Sequence, residues 1–160
     1  MSAQRFAVDT MLGRLATWLR LLGLDTTYGS HLSGRALLRH ARAEERTVLT
    51  RDRRLLREGR QQPMLFVAAD EFRDQLRQVV HAFGIDPFRH IFTRCSRCNA
   101  PVLPIAKSDV EGHVPPYVFS TQQHFVRCQV CQRIYWPATH YEHVRTELRA
   151  MGFREATPST

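Results

Sequence analysis

A chain of 160 residues, 43% of them hydrophobic, has room for one core domain of about a hundred residues and a small appendage. No apolar run approaches the roughly twenty residues that a membrane-spanning helix needs, so a helical membrane protein is excluded and a cytoplasmic protein without a membrane partner is expected. The formal charge is +8, and Lys107 is the only lysine among 23 cationic side chains. Arginine forks match phosphate oxygens and displace condensed counterions, which points to a polyanionic partner; an arginine-biased but merely soluble surface is the alternative.

In chain order, Phe6-Ala7-Val8 reads as a buried strand, and Leu12, Leu15, Ala16, Leu19 and Leu22 recur at helical spacing until Gly23 stops the helix. Thr26-Thr27-Tyr28 is a weaker strand, a helix follows over 36–43, and Thr47-Val48-Leu49-Thr50 is a clear β run. A short helix from Arg53 leads to Met64-Leu65-Phe66-Val67. A helix carrying Phe72, Leu76, Val79, Val80 and Phe83 then runs to Gly84. This alternation predicts an α/β domain with a parallel sheet over 1–92. Asp86-Pro87 opens a linker, a cysteine-bearing module with a closing helix is expected over 93–151, and 152–160 reads as a tail.

The four cysteines form two C-x-x-C knuckles, Cys95/Cys98 and Cys128/Cys131, each preceded by an arginine, Arg94 or Arg127. Two knuckles facing each other supply the tetrahedral S4 set of structural Zn²⁺, so a zinc ribbon is predicted. A redox pair and a disulfide framework are the competing readings. A redox motif needs only one knuckle, and nothing marks the chain as exported.

Three aspartates follow three predicted strands: Asp9 after Phe6-Ala7-Val8, Asp52 after Val48-Leu49-Thr50-Arg51, and Asp70 after Phe66-Val67-Ala68-Ala69. Open α/β sheets bind ligands outside the carboxyl ends of their strands. Carboxylates gathered there would suit Mg²⁺ or Mn²⁺, which take oxygen ligands and leave positions for water and phosphate. Each aspartate also stands just before a helix, where capping alone would explain it. An acidic metal site in a basic surround is what phosphodiester cleavage requires, with Arg14 and Arg51 as phosphate clamps and Arg20 flanking the mouth at Asp9.

Arg5-Phe6-Ala7-Val8-Asp9-Thr10-Met11-Leu12-Gly13-Arg14-Leu15-Ala16-Thr17-Trp18-Leu19-Arg20-Leu21-Leu22-Gly23, then Val48-Leu49-Thr50-Arg51-Asp52-Arg53, Arg94-Cys95-Ser96-Arg97-Cys98-Asn99, and Ile134-Tyr135-Trp136-Pro137-Ala138-Thr139-His140 resemble the Mut-seven C-terminal ribonuclease family. The resemblance covers roughly Arg5 to Leu148. It implies a PIN-like three-layer α/β/α domain followed by a zinc ribbon, RNA as substrate, and Mg²⁺ or Mn²⁺ at Asp9 and Asp52; Asp70 is added as a catalytic acid by its place at the third strand end. Arg14, Arg20, Arg51, Arg53 and His140 become candidate RNA contacts; a packed structural role is the alternative for His140. Two departures stand out. The stretch Leu32-Ser33-Gly34-Arg35 lacks the acid that often opens that helix, and Ala138 replaces a glycine. A non-cleaving RNA-binding or ribosome-associated adapter is therefore the alternative to a metal-dependent ribonuclease.

Overall fold

The computed structural model describes residues 3–156, apart from the side chains of 137–139, so the Ala138 side chain and the end of the expected tail, 157–160, lie outside it. Its first unit has strands β1 (Arg5–Val8), β2 (Asp25–Thr27), β3 (Thr47–Thr50) and β4 (Met64–Phe66), joined through helices α1 (Gly13–Leu21), α2 (Gly34–Ala43) and α3 (Arg53–Glu58). Helix α4 (Phe72–Phe83) follows β4. All strand pairs are parallel in the order β2-β1-β3-β4, with Phe6 opposite Thr26, Val8 opposite Leu49 and Thr50 opposite Phe66.

Period-two alternation decides the layers. Phe6, Val8 and Leu49 point to one face, against Leu12, Leu15 and Leu19 near and on α1 and Leu76, Val79 and Val80 of α4. Ala7 and Val48 point to the other face, against Leu37 and Ala41 of α2 and Leu55 of α3. This is the three-layer α/β/α arrangement. The helix α4 ends where Gly84 enters the left-handed region at φ 59°, which glycine adopts without a Cβ clash.

The second unit is an antiparallel sheet of β5 (Val102–Ile105), β6 (Phe125–Cys128) and β7 (Ile134–Tyr135), in the order β5-β6-β7, with a short helix α5 (Pro116–Thr121). Its own core is small: Val110, Val114 and Phe125 are buried, with Ile105, Val118, Phe119, Ile134 and Trp136 packed around them. The closing helix α6 (Pro137–Ala150) starts four residues before the expected Tyr141, at Pro137, a residue suited to a first helical turn. Its buried Val144 and Leu148, with Met151 and Phe153 beyond it, belong to the core of the first unit. Arg77 of α4 donates to the Met151 carbonyl at 2.7 Å, and Arg73 pairs with Glu147. The expected tail is held through residue 155, because Phe153 is 9% exposed and Glu155 pairs with Arg145 and Arg149.

Polar contacts join the units at β2. The Asn99 side chain accepts from the Thr26 amide at 2.8 Å and donates to Asp25 at 2.8 Å, while Arg46 donates to the same Asp25 at 2.7 Å. Burial alone would raise the Asp25 pKa, yet hydrogen bonds from Arg46 and Asn99 and the charges of Arg46 and Arg94 hold it down to about 2. Because the folded value lies below the unfolded one, this stabilisation is present above about pH 4 and is lost as pH falls toward 2. Its size is on the order of 2 kcal/mol. Asp25→Asn should therefore destabilise the protein by about that amount at neutral pH and far less at pH 2, read by urea unfolding at both.

Candidate functional site

The connection from β1 moves to β2 on one side, whereas those through α2 and α3 move the other way, so the sheet changes direction between β1 and β3. Ligands of open α/β sheets bind at this switch point. Asp9 follows β1 and Thr50-Arg51-Asp52 closes β3, so the register brings them to the same crevice. There the buried Thr50 hydroxyl donates to Asp9 Oδ2 at 2.7 Å and accepts from the Asp52 amide at 2.9 Å. One hydroxyl thus fixes the carboxyl of one aspartate and the backbone of the other.

Asp9 is 5% exposed, and its Oδ1 accepts from the Thr10 amide at 2.7 Å, capping the single 3-10 turn Thr10–Leu12. Among the described residues no cationic side chain comes within 4 Å of its carboxyl. Buried carboxyl groups in proteins are normally paired with a cation or bound to a metal, so the donor set at Asp9 fits a cation that the chain itself does not supply. Asp52 caps α3 by accepting from the Arg54 amide at 2.8 Å and also bonds the Arg54 guanidinium. These bonds hold its pKa below the ordinary carboxylate value, with the charges of Arg54 and Arg57 adding to the effect.

Asp70 does not join them. Its carboxyl is 88% exposed and paired to Arg51, and Glu71 rather than Asp70 holds the N-cap position of α4, without a side-chain cap bond. The expected cluster of three carboxylates is therefore not assembled: among the described residues, only the four cysteines form a group of three or more potential ligands within 4.8 Å of one another. The strand ends are equivalent in sequence, but the extra residues between Phe66 and Asp70 carry that carboxyl out to solvent, where Arg51 meets it. Glu44 lies at the opposite edge of the sheet, bonded to Arg46. Ser33, where an acid is missing, precedes α2 without a side-chain cap bond.

The arginines also divide. Arg14 is exposed, with its guanidinium carbon 4.4 Å over the Phe72 ring, and Arg53 lies 5.1 Å over Phe66; both keep N–H edges open. Arg20 was expected at the mouth of the site and is not there. It is 7% exposed and donates to the carbonyls of Thr26, Ser96 and Arg97 at 2.9, 3.3 and 2.9 Å, because the first knuckle sits on that face of α1. His140 is exposed near Trp136, in a cleft of about 700 Å³ between α1, the second knuckle and α6, away from the aspartates.

The two knuckles share one backbone pattern. Cys95 N–H bonds the Ala100 carbonyl and Asn99 N–H the Cys95 carbonyl; Cys128 N–H bonds the Arg133 carbonyl and Gln132 N–H the Cys128 carbonyl. Asn99 and Gln132, at equivalent places, both take positive φ, 70° and 60°. The sulfurs stand 3.7 Å apart for Cys95 and Cys131 and 3.2 Å for Cys98 and Cys128, far beyond a disulfide bond of about 2.05 Å. The tetrahedral edge for zinc–sulfur bonds of about 2.3 Å is about 3.8 Å, so a metal ion such as zinc fits the set. Tyr135 donates to Cys95 Sγ at 3.0 Å and, against the opposing effect of burial, lowers its pKa, favouring the thiolate that a metal requires. Thr50, Arg54 and Tyr135 were not singled out as site groups from sequence. Thr50 carries a signal nonetheless, as the polar residue that ends a buried strand two positions before Asp52.

A parallel α/β sheet with an aspartate-bearing switch point, joined to a four-cysteine ribbon, sets the class of the fold. The sequence profile described as Mut7-C RNAse domain matches residues 4–148, and the chain belongs to that family. No curated protein and no solved structure gives a significant match. The family gives the chain a ribonuclease-type function with RNA as substrate or partner, and among the described residues no helix is long and apolar enough to cross a membrane.

Thr50→Val keeps the shape and removes the bridging hydroxyl, leaving Asp9 Oδ2 and the Asp52 amide short of a partner. It should destabilise the fold by about 1–3 kcal/mol, while Thr50→Ser should recover most of that loss in the same denaturant titration.

Proposed function

We propose that the chain is a metal-dependent ribonuclease that hydrolyses RNA phosphodiester bonds at the crevice between Asp9 and Asp52. The observation that carries this reading is the buried Asp9 carboxyl at the switch point, bonded by Thr10 and Thr50 and approached by no cationic side chain among the described residues. Asp9 and Asp52 would hold Mg²⁺ or Mn²⁺. Such a cation, when bound, supplies Lewis acidity toward the scissile phosphate and lowers the pKa of water. The chain's own residues do the rest: Thr50 orients the Asp9 carboxyl, Arg54 positions Asp52, and Arg14, Arg51 and Arg53 bind phosphate oxygens. Zinc at Cys95, Cys98, Cys128 and Cys131 is structural, filling a closed all-protein set beneath a core too small to fold alone. Thiolates kept for a metal agree with a reducing, cytoplasmic setting.

The second reading, an RNA-binding or ribosome-associated adapter that does not cleave, is favoured by one observation: Asp70 is turned away and α2 has no acidic residue in its first turn, so among the described residues the crevice has the two carboxylates of Asp9 and Asp52.

Asp9→Asn and Asp52→Asn preserve size and capping while removing an anionic ligand. Each should abolish Mn²⁺-dependent cleavage of RNA with folding and RNA binding retained. Equal cleavage by either variant overturns the assignment, and a wild type that binds RNA but cuts none with any divalent cation puts the adapter reading in its place. Metal analysis should give one zinc per chain, lost in Cys128→Ser together with the ribbon's protection in hydrogen exchange.

A further inference from the structure

Helix α2 carries Arg35, Arg39 and Arg42 at positions i, i+4 and i+7, a single row along one side, and has no acidic residue in its first turn or anywhere in its body. Like charges at this spacing destabilise an isolated helix, so folding alone does not favour the row. The row faces α3 across a groove lined by Arg35, Leu38, Arg39, Arg42, Ala43 and Glu58, with a volume of about 540 Å³. Helix α3 and the turn after it add Arg57 and Arg60, both exposed. Glu58 engages Arg35 at 3.3 Å, but among the described residues Arg39, Arg42, Arg57 and Arg60 have no acidic group within 4 Å.

The direction of the groove matters as much as its charge. Helix α2 follows the carboxyl end of β2 and helix α3 follows that of β3, so both begin at the edge that holds Asp9 and Asp52 and run back along the sheet. Arg53, Arg54 and Asp52 stand at the head of α3, and the Arg57 charge is close enough to help depress the Asp52 pKa. The groove thus lies between two helices that both begin at the edge holding the proposed catalytic crevice, on the face of the sheet opposite α1, α4 and α6.

We propose that the α2–α3 groove is a track for the sugar–phosphate backbone of single-stranded RNA, leading from the crevice at Asp52 along Arg57, Arg39 and Arg42. The proposal rests on the ribonuclease reading for its ligand and extends it to a substrate that reaches beyond the cleaved bond. Arginine forks separated by one helical turn can each take a phosphate oxygen pair, and the apolar floor of Leu38 and Ala43 suits the sugar edge. Contacts of this kind carry no base preference, so the track sets length dependence and not sequence.

The test uses the full-length protein and two labelled oligouridylates, one on the order of 5 and one on the order of 25 nucleotides, bracketing common single-strand site sizes. The wild type should bind the longer one more tightly, with affinity falling steeply as salt rises. Replacing Arg39, Arg42 and Arg57 together by alanine should lower the log–log salt slope by about 2, at about 0.7 per lost phosphate contact, and erase the advantage of length. The corresponding triple lysine variant should keep most of the slope, which separates loss of charge from loss of fold. An unchanged slope and length preference in the alanine variant overturns the track and leaves the ribonuclease reading standing. A wild type with no RNA binding at low salt overturns both. Competition by polyglutamate as effective as by RNA assigns the groove to an acidic protein and overturns the RNA track.

Discussion

One guanidinium holds the two units in register. Arg20 leaves α1 into a buried seam and donates to carbonyls on β2 and on the first cysteine knuckle, so three oxygens from two parts of the chain share one charge. A hydrogen bond from a charged donor contributes about 1.5–3 kcal/mol, and removing one partner of a buried charged set costs several. The seam continues through Asn99, whose side chain spans the Thr26 amide and Asp25, and through Arg46, which is 5% exposed and bonds Asp25 in turn. Asn99 can do this because it sits in the left-handed turn that closes the first knuckle, a conformation asparagine tolerates well. The cysteine set and the docking seam therefore share the same five-residue turn, with cysteines on one side and the seam on the other.

Two different devices stabilise the two units. The α/β unit buries leucines and valines on both faces of its sheet and takes α6 as an additional cover. The ribbon has only three buried residues in its own cluster, beside a set of four cysteines that a metal ion such as zinc fits. The long closing helix returns from the ribbon to the first core, so the ribbon is anchored at both ends: by the knuckle seam at its start and by Val144 and Leu148 after it.

Much of this was legible in the residues. The strand Thr47–Thr50 and the helix Phe72–Phe83 agree with their expected spans because β-branched runs and a clean 3.6-residue period are local signals. The second strand falls one residue earlier than expected, at Asp25–Thr27, because pairing with Arg5–Ala7 sets its register rather than propensity. The pairing of the knuckles followed from spacing, since a C-x-x-C turn is local and two of them have few ways to share a metal. The roles of Arg20 and Asp70 were not legible. Helical periodicity puts Arg20 on α1 but cannot tell that a knuckle some seventy-six residues away will cover it, and alternation along β4 ends before the loop that turns Asp70 outward.

By itself the sequence determined the α/β alternation, the four-cysteine set, the basic character and the aspartates that end β1 and follow β3, because each depends on a residue type and its near neighbours. Only the tertiary structure decided which groups meet. The parallel register of β1 and β3 brings Thr50 onto Asp9, the reversal of strand order makes that meeting point a crevice, and the seam at β2 withdraws Arg20 from solvent. Those outcomes depend on contacts between residues far apart in the chain, whose geometry is set by packing and by the need to satisfy buried polar groups.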